Sequence, residues 1–310
     1  MKKDSDTLFL VLRRAGILPA FLVMIALFCI FSPSFRSPVN FVNILQQNTV
    51  IGIIACGMTF MLIIGGFDLS VGSVAALAGI ISAFALRESL VLGILVGLAT
   101  GAVMGAANGF LISRVGINAF VATLGTMVVG RGLVLIVGGG FPVMGFPSEY
   151  NVIGMGNLGF IPIATLIWML IALACHILLR RTRFGQYVYA VGGNEKTAAL
   201  SGINVKNMKF LAFVLGGVLA AAGGLVLLFR VMAALAYMAS GYELRAIAAC
   251  IVGGCILGGG RGSIPGTIIG VLLMGAVANA LHIFGVSPYW EDTITGLIII
   301  SAVATQRLSK

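Results

Sequence analysis

Between Arg36 and Arg87 the chain runs for fifty residues with a single charged side chain, Asp68. Such a stretch belongs in hydrocarbon, where every backbone N–H and C=O must be satisfied internally, and an open chain meets that demand as helix. One bilayer-spanning helix needs about 20 apolar residues. Fifty residues therefore hold two spans and a break, and the break falls at GGFDLSVGS, residues 65–73. The rest of the chain agrees: 60% of its residues are apolar and 9% charged, where soluble domains carry about 25% charged residues. The fold class is all-α, a polytopic membrane protein.

Apolar windows bounded by charge or turn residues place spans near 15–32, 48–66, 70–86, 89–112, 119–138, 161–179, 209–229, 244–260, 263–285 and 292–306, about ten transmembrane helices. The run from Ile17 to Phe31 lacks an A-x-A-like cleavage site and is taken as a retained first span. With the N-terminus in the cytoplasm, fourteen of the nineteen Lys and Arg residues fall in inside loops. Three, Arg36, Arg87 and Arg230, fall outside, and Arg131 and Arg245 lie within spans. That asymmetry sets both N and C termini in the cytoplasm. A second break, ASGYELRA at 239–246, falls where the first does, between the second and third spans of a five-span half. Two five-helix halves of opposite orientation form an inverted repeat. Residues 1–310 read as a single transmembrane domain. Glycines 93, 97, 101, 105 and 109 recur every four residues, a groove for close helix packing.

The net charge of +10 does not indicate nucleic acid, because the basic residues sit at span edges. Membrane lipid is the expected partner there. The five cysteines lie in apolar stretches without a CxxC pair and read as small buried hydrophobes. No metal-ligand spacing and no nucleophile–base pair stands out. Lys196-Thr197 follows glycines, but Glu195 occupies the place where a phosphate loop needs glycine. No cofactor is expected in this chain.

The longest hydrophilic stretch, 180–209, lies inside by the charge argument. Within it, NEKTAALSG reads as a miniature helix: Asn194 caps its start, Glu195 suits the positive end, and Gly202 suits the terminal turn. About two turns of helix are unstable alone in water, so this one must dock on something. Asp68 admits two roles: a path or gating residue together with Ser70, or a cap accepting the N–H groups of Ser70 or Val71. Arg131 could pair with Asp68, touch substrate hydroxyls, snorkel, or bind backbone carbonyls. Glu243 and Arg245 suggest a local pair, and Tyr289 and Trp290 beside Glu291 and Asp292 an interfacial belt.

Three stretches together carry a resemblance: GMTFMLIIGGFDLSVGS (57–73), TRFGQYVYAVGGNEKTAALSGI (182–203), and GYELRAIAACIVGG with GGRGSIPGT (241–267). They resemble the permease subunit of bacterial ATP-driven (ABC) sugar importers of the ribose/xylose/galactoside group, and FVATLGTM (120–127), which contains Thr123, fits as well. The resemblance implies a monosaccharide permease in the bacterial inner membrane, working by alternating access. Its implied partners are a cytoplasmic ABC ATPase that carries ATP and Mg, a periplasmic sugar-binding protein, and a second copy of itself or a paired permease. It implies that Asn194, Glu195, Lys196, Thr197, Ala198, Ala199, Leu200, Ser201 and Gly202 couple the chain to the ATPase; Asp68, Ser70, Arg131 and Thr123 stand beside this as candidate path or gating residues. The chain departs from that pattern at Arg245, where relatives usually carry an acid, in the apolar loop 229–240, and at CILGGG. Rival readings are a self-sufficient facilitator or ion-coupled carrier, and the same importer carrying a nucleoside or a signalling sugar.

Overall fold

The computed structural model describes residues 18–287, 290, 293–298 and 300. The tenth expected span lies partly outside these residues. Tyr289, Glu291, Asp292 and the terminal Lys and Arg residues lie wholly outside them. The described chain is a helical bundle: α1 (Leu18–Phe31), α2 (Pro38–Ile63), α3 (Val71–Ala85), α4 (Leu90–Phe110), α5 (Ala119–Gly138), α6 (Asn151–Met155), α7 (Ile163–Arg181), α8 (Arg183–Gly193), α9 (Glu195–Leu200), α10 (Val205–Val231), α11 (Tyr242–Val252) and α12 (Ile264–Ile283). Among the described residues six helical stretches are long and apolar enough to cross a membrane: α2, α4 continued to Val115, α5, α7, α10 and α12. One antiparallel pair of two-residue strands, Asn157–Leu158 with Ile161–Pro162, departs from the all-α expectation.

Two spans differ from the sequence expectation. The second begins at Pro38, ten residues before the expected start. Its first half carries Asn40, Asn43, Gln46, Gln47 and Asn48, which an apolar window rejects. Asn43 and Gln47 are exposed, and the two buried amides are satisfied: Asn40 and Asn279 exchange amide hydrogen bonds at 2.9 Å each way, and Asn48 Nδ2 donates to Ile44 O. Buried amides paired in this way cost little. The eighth expected span, 244–260, is helical only as α11, to Val252; residues 253–263 form a glycine-rich irregular segment. α3 is also short, at fifteen residues.

The centre is built on α2 and α10. α10 packs against α2, α3 and α4, while α2 packs against α10, α11 and α12. The glycine groove explains the closest of these contacts. A Cβ on Gly101 would lie 2.3 Å from Gly217 O of α10, and one on Gly217 would lie 2.2 Å from Gly101 O, so no larger residue fits either backbone. Gly97, Gly105 and Gly109 also face α10, whereas Gly93 faces Leu86. On the other side Gly266 and Gly270 of α12 approach Gly253 O and Ala249 O in the same way. At one end of the bundle α8 lies against the end of α2, and α9 packs on α8: a Cβ on Gly192 would meet Ile63 O, and Gly260 N donates to that same carbonyl at 2.8 Å.

Candidate functional site

Three places hold the residues singled out by sequence. The first is the break at 64–70. After Ile63 the chain turns through Gly65, at φ +92°, and re-enters helix at Val71. Asp68 is 1% exposed. Its Oδ1 accepts the Ser70 N–H at 2.7 Å and the Ser70 hydroxyl at 2.6 Å, and its Oδ2 accepts Asn108 Nδ2 at 3.1 Å. Asn108 Nδ2 also donates to Ser70 Oγ, and Thr126 Oγ1 donates to Asn108 Oδ1 at 2.7 Å. A buried carboxylate is tolerated when donors converge on it, and these donors tie the break to α4 and α5. The expectation that Asp68 accepts the Ser70 N–H is met, although the helix N-cap position is Ser70 itself. Thr123 is buried but turns back on its own helix, donating to Ala119 O. One turn on, Thr126 makes the contact. Sequence reasoning missed Asn108 and Thr126; the signal was an amide inside a glycine-rich span, three residues after Gly105.

The second place is the apolar loop 232–241. Arg131 does not pair with Asp68. Its Nη1 donates to Met238 O at 2.8 Å and Ala236 O at 3.3 Å, which clamps this loop to α5. The loop bends through two non-glycine residues in the left-handed region, Met232 at φ 57° and Ala239 at φ 54°, each costing about 1–2 kcal/mol. Its near end is pinned by a β-bridge between Ala234 and Val143. Glu243 and Arg245, expected as a local pair, have different surroundings. Glu243 Oε1 accepts the Gly241 N–H, and its Oε2 is buried without a hydrogen-bond partner among the described residues. A Cβ on Gly72 would meet that oxygen at 2.3 Å and Arg131 Nη2 at 3.3 Å, so Gly72 leaves the space between the two charges. Arg245 instead lines a cleft of about 390 Å³ with Arg230, Asn48 and His282.

The third place is the hydrophilic loop. Residues 180–209 hold two helices where one was expected. Thr182 accepts the Gly185 N–H and starts α8, whose Tyr189 hydroxyl donates to Gly262 O at 2.7 Å; burial pushes that phenol pKa up. The expected miniature helix is α9. Asn194 Oδ1 accepts the Thr197 N–H at 2.9 Å. At the far end Gly202, at φ +82°, donates to Ala199 O, and Ile203 N to Ala198 O, the pairing of a glycine-terminated helix. Within α9 only Ala198 is buried; Leu200 is 90% exposed. Glu195 pairs with Lys209 at 2.6 Å. Six residues closed by their own caps thus present an uncovered leucine.

Comparison with known proteins covers nearly the whole chain. A family described as branched-chain amino acid transport system / permease component matches residues 40–303. The ribose import permease protein RbsC of Bacillus subtilis is 39% identical over 301 residues, covering 96% of this chain and 94% of its own length. RbsC of Escherichia coli is 39% identical over 290 residues, covering 92% and 90%. The L-arabinose ABC transporter permease protein AraH of Azospirillum brasilense is 38% identical over 296 residues, covering 94% and 87%. No solved structure matches.

Proposed function

This chain belongs to the branched-chain amino acid transport system / permease component family, and from that premise we propose that it is the membrane-spanning subunit of an ABC importer for a monosaccharide. The family description names amino acids, but the relatives at 38–39% identity are ribose and arabinose permeases. The observation that carries the reading is the extent of that likeness: 39% identity across 96% of this chain and 94% of the relative. The chain is a transport subunit and not an enzyme, a multi-pass protein of the bacterial inner membrane. ATP and Mg belong to a partner ATPase, and the sugar arrives on a periplasmic binding protein. A second permease copy or a paired permease completes the path.

In this reading α9, Asn194 to Gly202, is the knob that the ATPase grips. Its support is physical. A helix this short survives only through caps and docking, and Leu200 is left uncovered. ATP-driven movement of α9 passes through α8 to Ile63 and Gly260, and so to the break held by Asp68 and Ser70. Arg131 acts on the outer loop, and Thr123 faces the same bundle interior. The arrangement as ten membrane segments in two inverted halves is supported by matched packing: α2, α3 and α4 relate to one another and to α10 as α10, α11 and α12 do to α2. Both halves also interrupt a long helix before a short one. Such breaks border the path in inverted-repeat transporters.

The test is reconstitution. The permease co-purifies with its ATPase, and ribose or L-arabinose with the binding protein stimulates hydrolysis. Sugar accumulation by the permease alone would instead identify a self-sufficient carrier.

A further inference from the structure

At the end of the bundle that carries α8 and α9, a cavity of about 490 Å³ opens between the 64–70 break, the segment 112–119 and the start of α10. Three cations line it, Arg114, Lys206 and Lys209, against one carboxylate, Glu195. That carboxylate is committed to Lys209. Arg114 Nη2 donates to Asn207 Oδ1, a neutral amide. Among the described residues, then, Arg114 and Lys206 line the cavity without a carboxylate partner.

Ser113 supplies an independent sign of a ligand. It lines the same cavity and is 7% exposed, and its Oγ has no hydrogen-bond partner among the described residues. Leaving a buried hydroxyl unpaired costs about 1–3 kcal/mol. Ser113 and Arg114 lie on a π turn, Leu111–Val115, which Gly116 closes at φ +86°. Such turns are rare and concentrate at functional sites.

We infer that this cavity binds a phosphate group. Phosphate oxygens accept from a guanidinium, an ammonium and a hydroxyl together, which is the donor set Arg114, Lys206 and Ser113 present. The volume exceeds that of phosphate alone and leaves room for the group it is esterified to. Two sources share this chemistry. One is an anionic lipid headgroup, which basic pockets at the cytoplasmic ends of membrane helices hold; the exposed Phe110, Val115 and Phe120 nearby would meet its acyl chains. The other is a soluble phosphate ester from the cytosol. Either would compete with Glu195 for Lys209 and so loosen the start of α9. That consequence rests on the coupling role proposed for α9; the binding itself does not.

The experiment uses the permease–ATPase complex in three forms: wild type, R114Q/K206Q, and R180Q/R181Q, which removes the same charge from exposed positions at the end of α7. Native mass spectrometry reads retention of phosphatidylglycerol against phosphatidylethanolamine. Calorimetry on delipidated complex reads glycerol phosphate and inorganic phosphate. The expected result is binding by wild type and R180Q/R181Q, at least tenfold weaker in R114Q/K206Q. Retained phosphatidylglycerol identifies a headgroup site, and a glycerol phosphate isotherm a soluble ester site. Equal loss in both double variants, or no binding by wild type, overturns the inference. If R114Q/K206Q fails to assemble, S113V takes its place under the same criteria. Binding that leaves ATP hydrolysis unchanged would refute the consequence for α9 alone.

Discussion

The two breaks in the bundle solve the same problem in opposite ways. At 64–70 a glycine supplies the turn, and the carboxylate of Asp68 is satisfied on both oxygens by Ser70 and Asn108. At 232–241 the turn uses Met232 and Ala239 in a conformation that suits glycine, and Glu243 keeps one buried oxygen unpartnered among the described residues. The first break is locked from within. The second is held from outside, by Arg131 on the Met238 and Ala236 carbonyls. Backbone strain favours rearrangement, so in the proposed importer the break at 232–241 is the one expected to move, and the break at 64–70 the one expected to transmit the movement.

The largest effect should come from the inner lock. Asp68→Ala strips the acceptor from three donors and should cost at least about 3 kcal/mol, since a buried donor left unpaired costs about 1–3 kcal/mol, with sugar uptake abolished. Asp68→Asn, which keeps one acceptor, should retain part of the stability in a thermal melt of the detergent-solubilised protein. Next is the outer clamp. Arg131→Ala should cost about 1.5–3 kcal/mol, as for hydrogen bonds from a charged group, and raise hydrogen exchange across 232–241 while leaving 64–70 protected. Loss of protection at both breaks would show that they are one unit and dissolve the contrast. Smaller still, Thr126→Val removes a donor to Asn108 and should cost about 1 kcal/mol, whereas Thr123→Val loses only a bond to its own helix and should cost less. The smallest difference lies in the turns. Gly65→Ala should destabilise by about 1 kcal/mol. Ala239→Gly relieves strain but gives up a buried methyl, and should move the melting temperature little.

Much of the bundle is legible in the sequence because apolar length and positive charge at span edges are strong signals. The start of α2 is not, because its buried Asn40 is paired across the chain with Asn279, 239 positions away. The end of α11 is not, because an apolar glycine-rich segment reads the same whether helical or re-entrant. At the sites, Asp68, Ser70 and the caps of α9 follow from local spacing. Asn108 and Thr126 do not, since their role depends on which helix faces the break. The surroundings of Arg131 likewise depend on a loop a hundred residues away, whose carbonyls carry no signal in sequence.

The account as a whole depends on energy entering through α9. The most direct test is ATP-driven uptake of ribose or L-arabinose into proteoliposomes holding the binding protein, the ATPase and either wild-type permease or Leu200→Asp. The account predicts that Leu200→Asp folds normally, since Leu200 is 90% exposed and little packing among the described residues would be lost, yet loses at least tenfold in uptake and releases the ATPase. Uptake at the wild-type rate with Leu200→Asp, or accumulation without any ATPase, would contradict it.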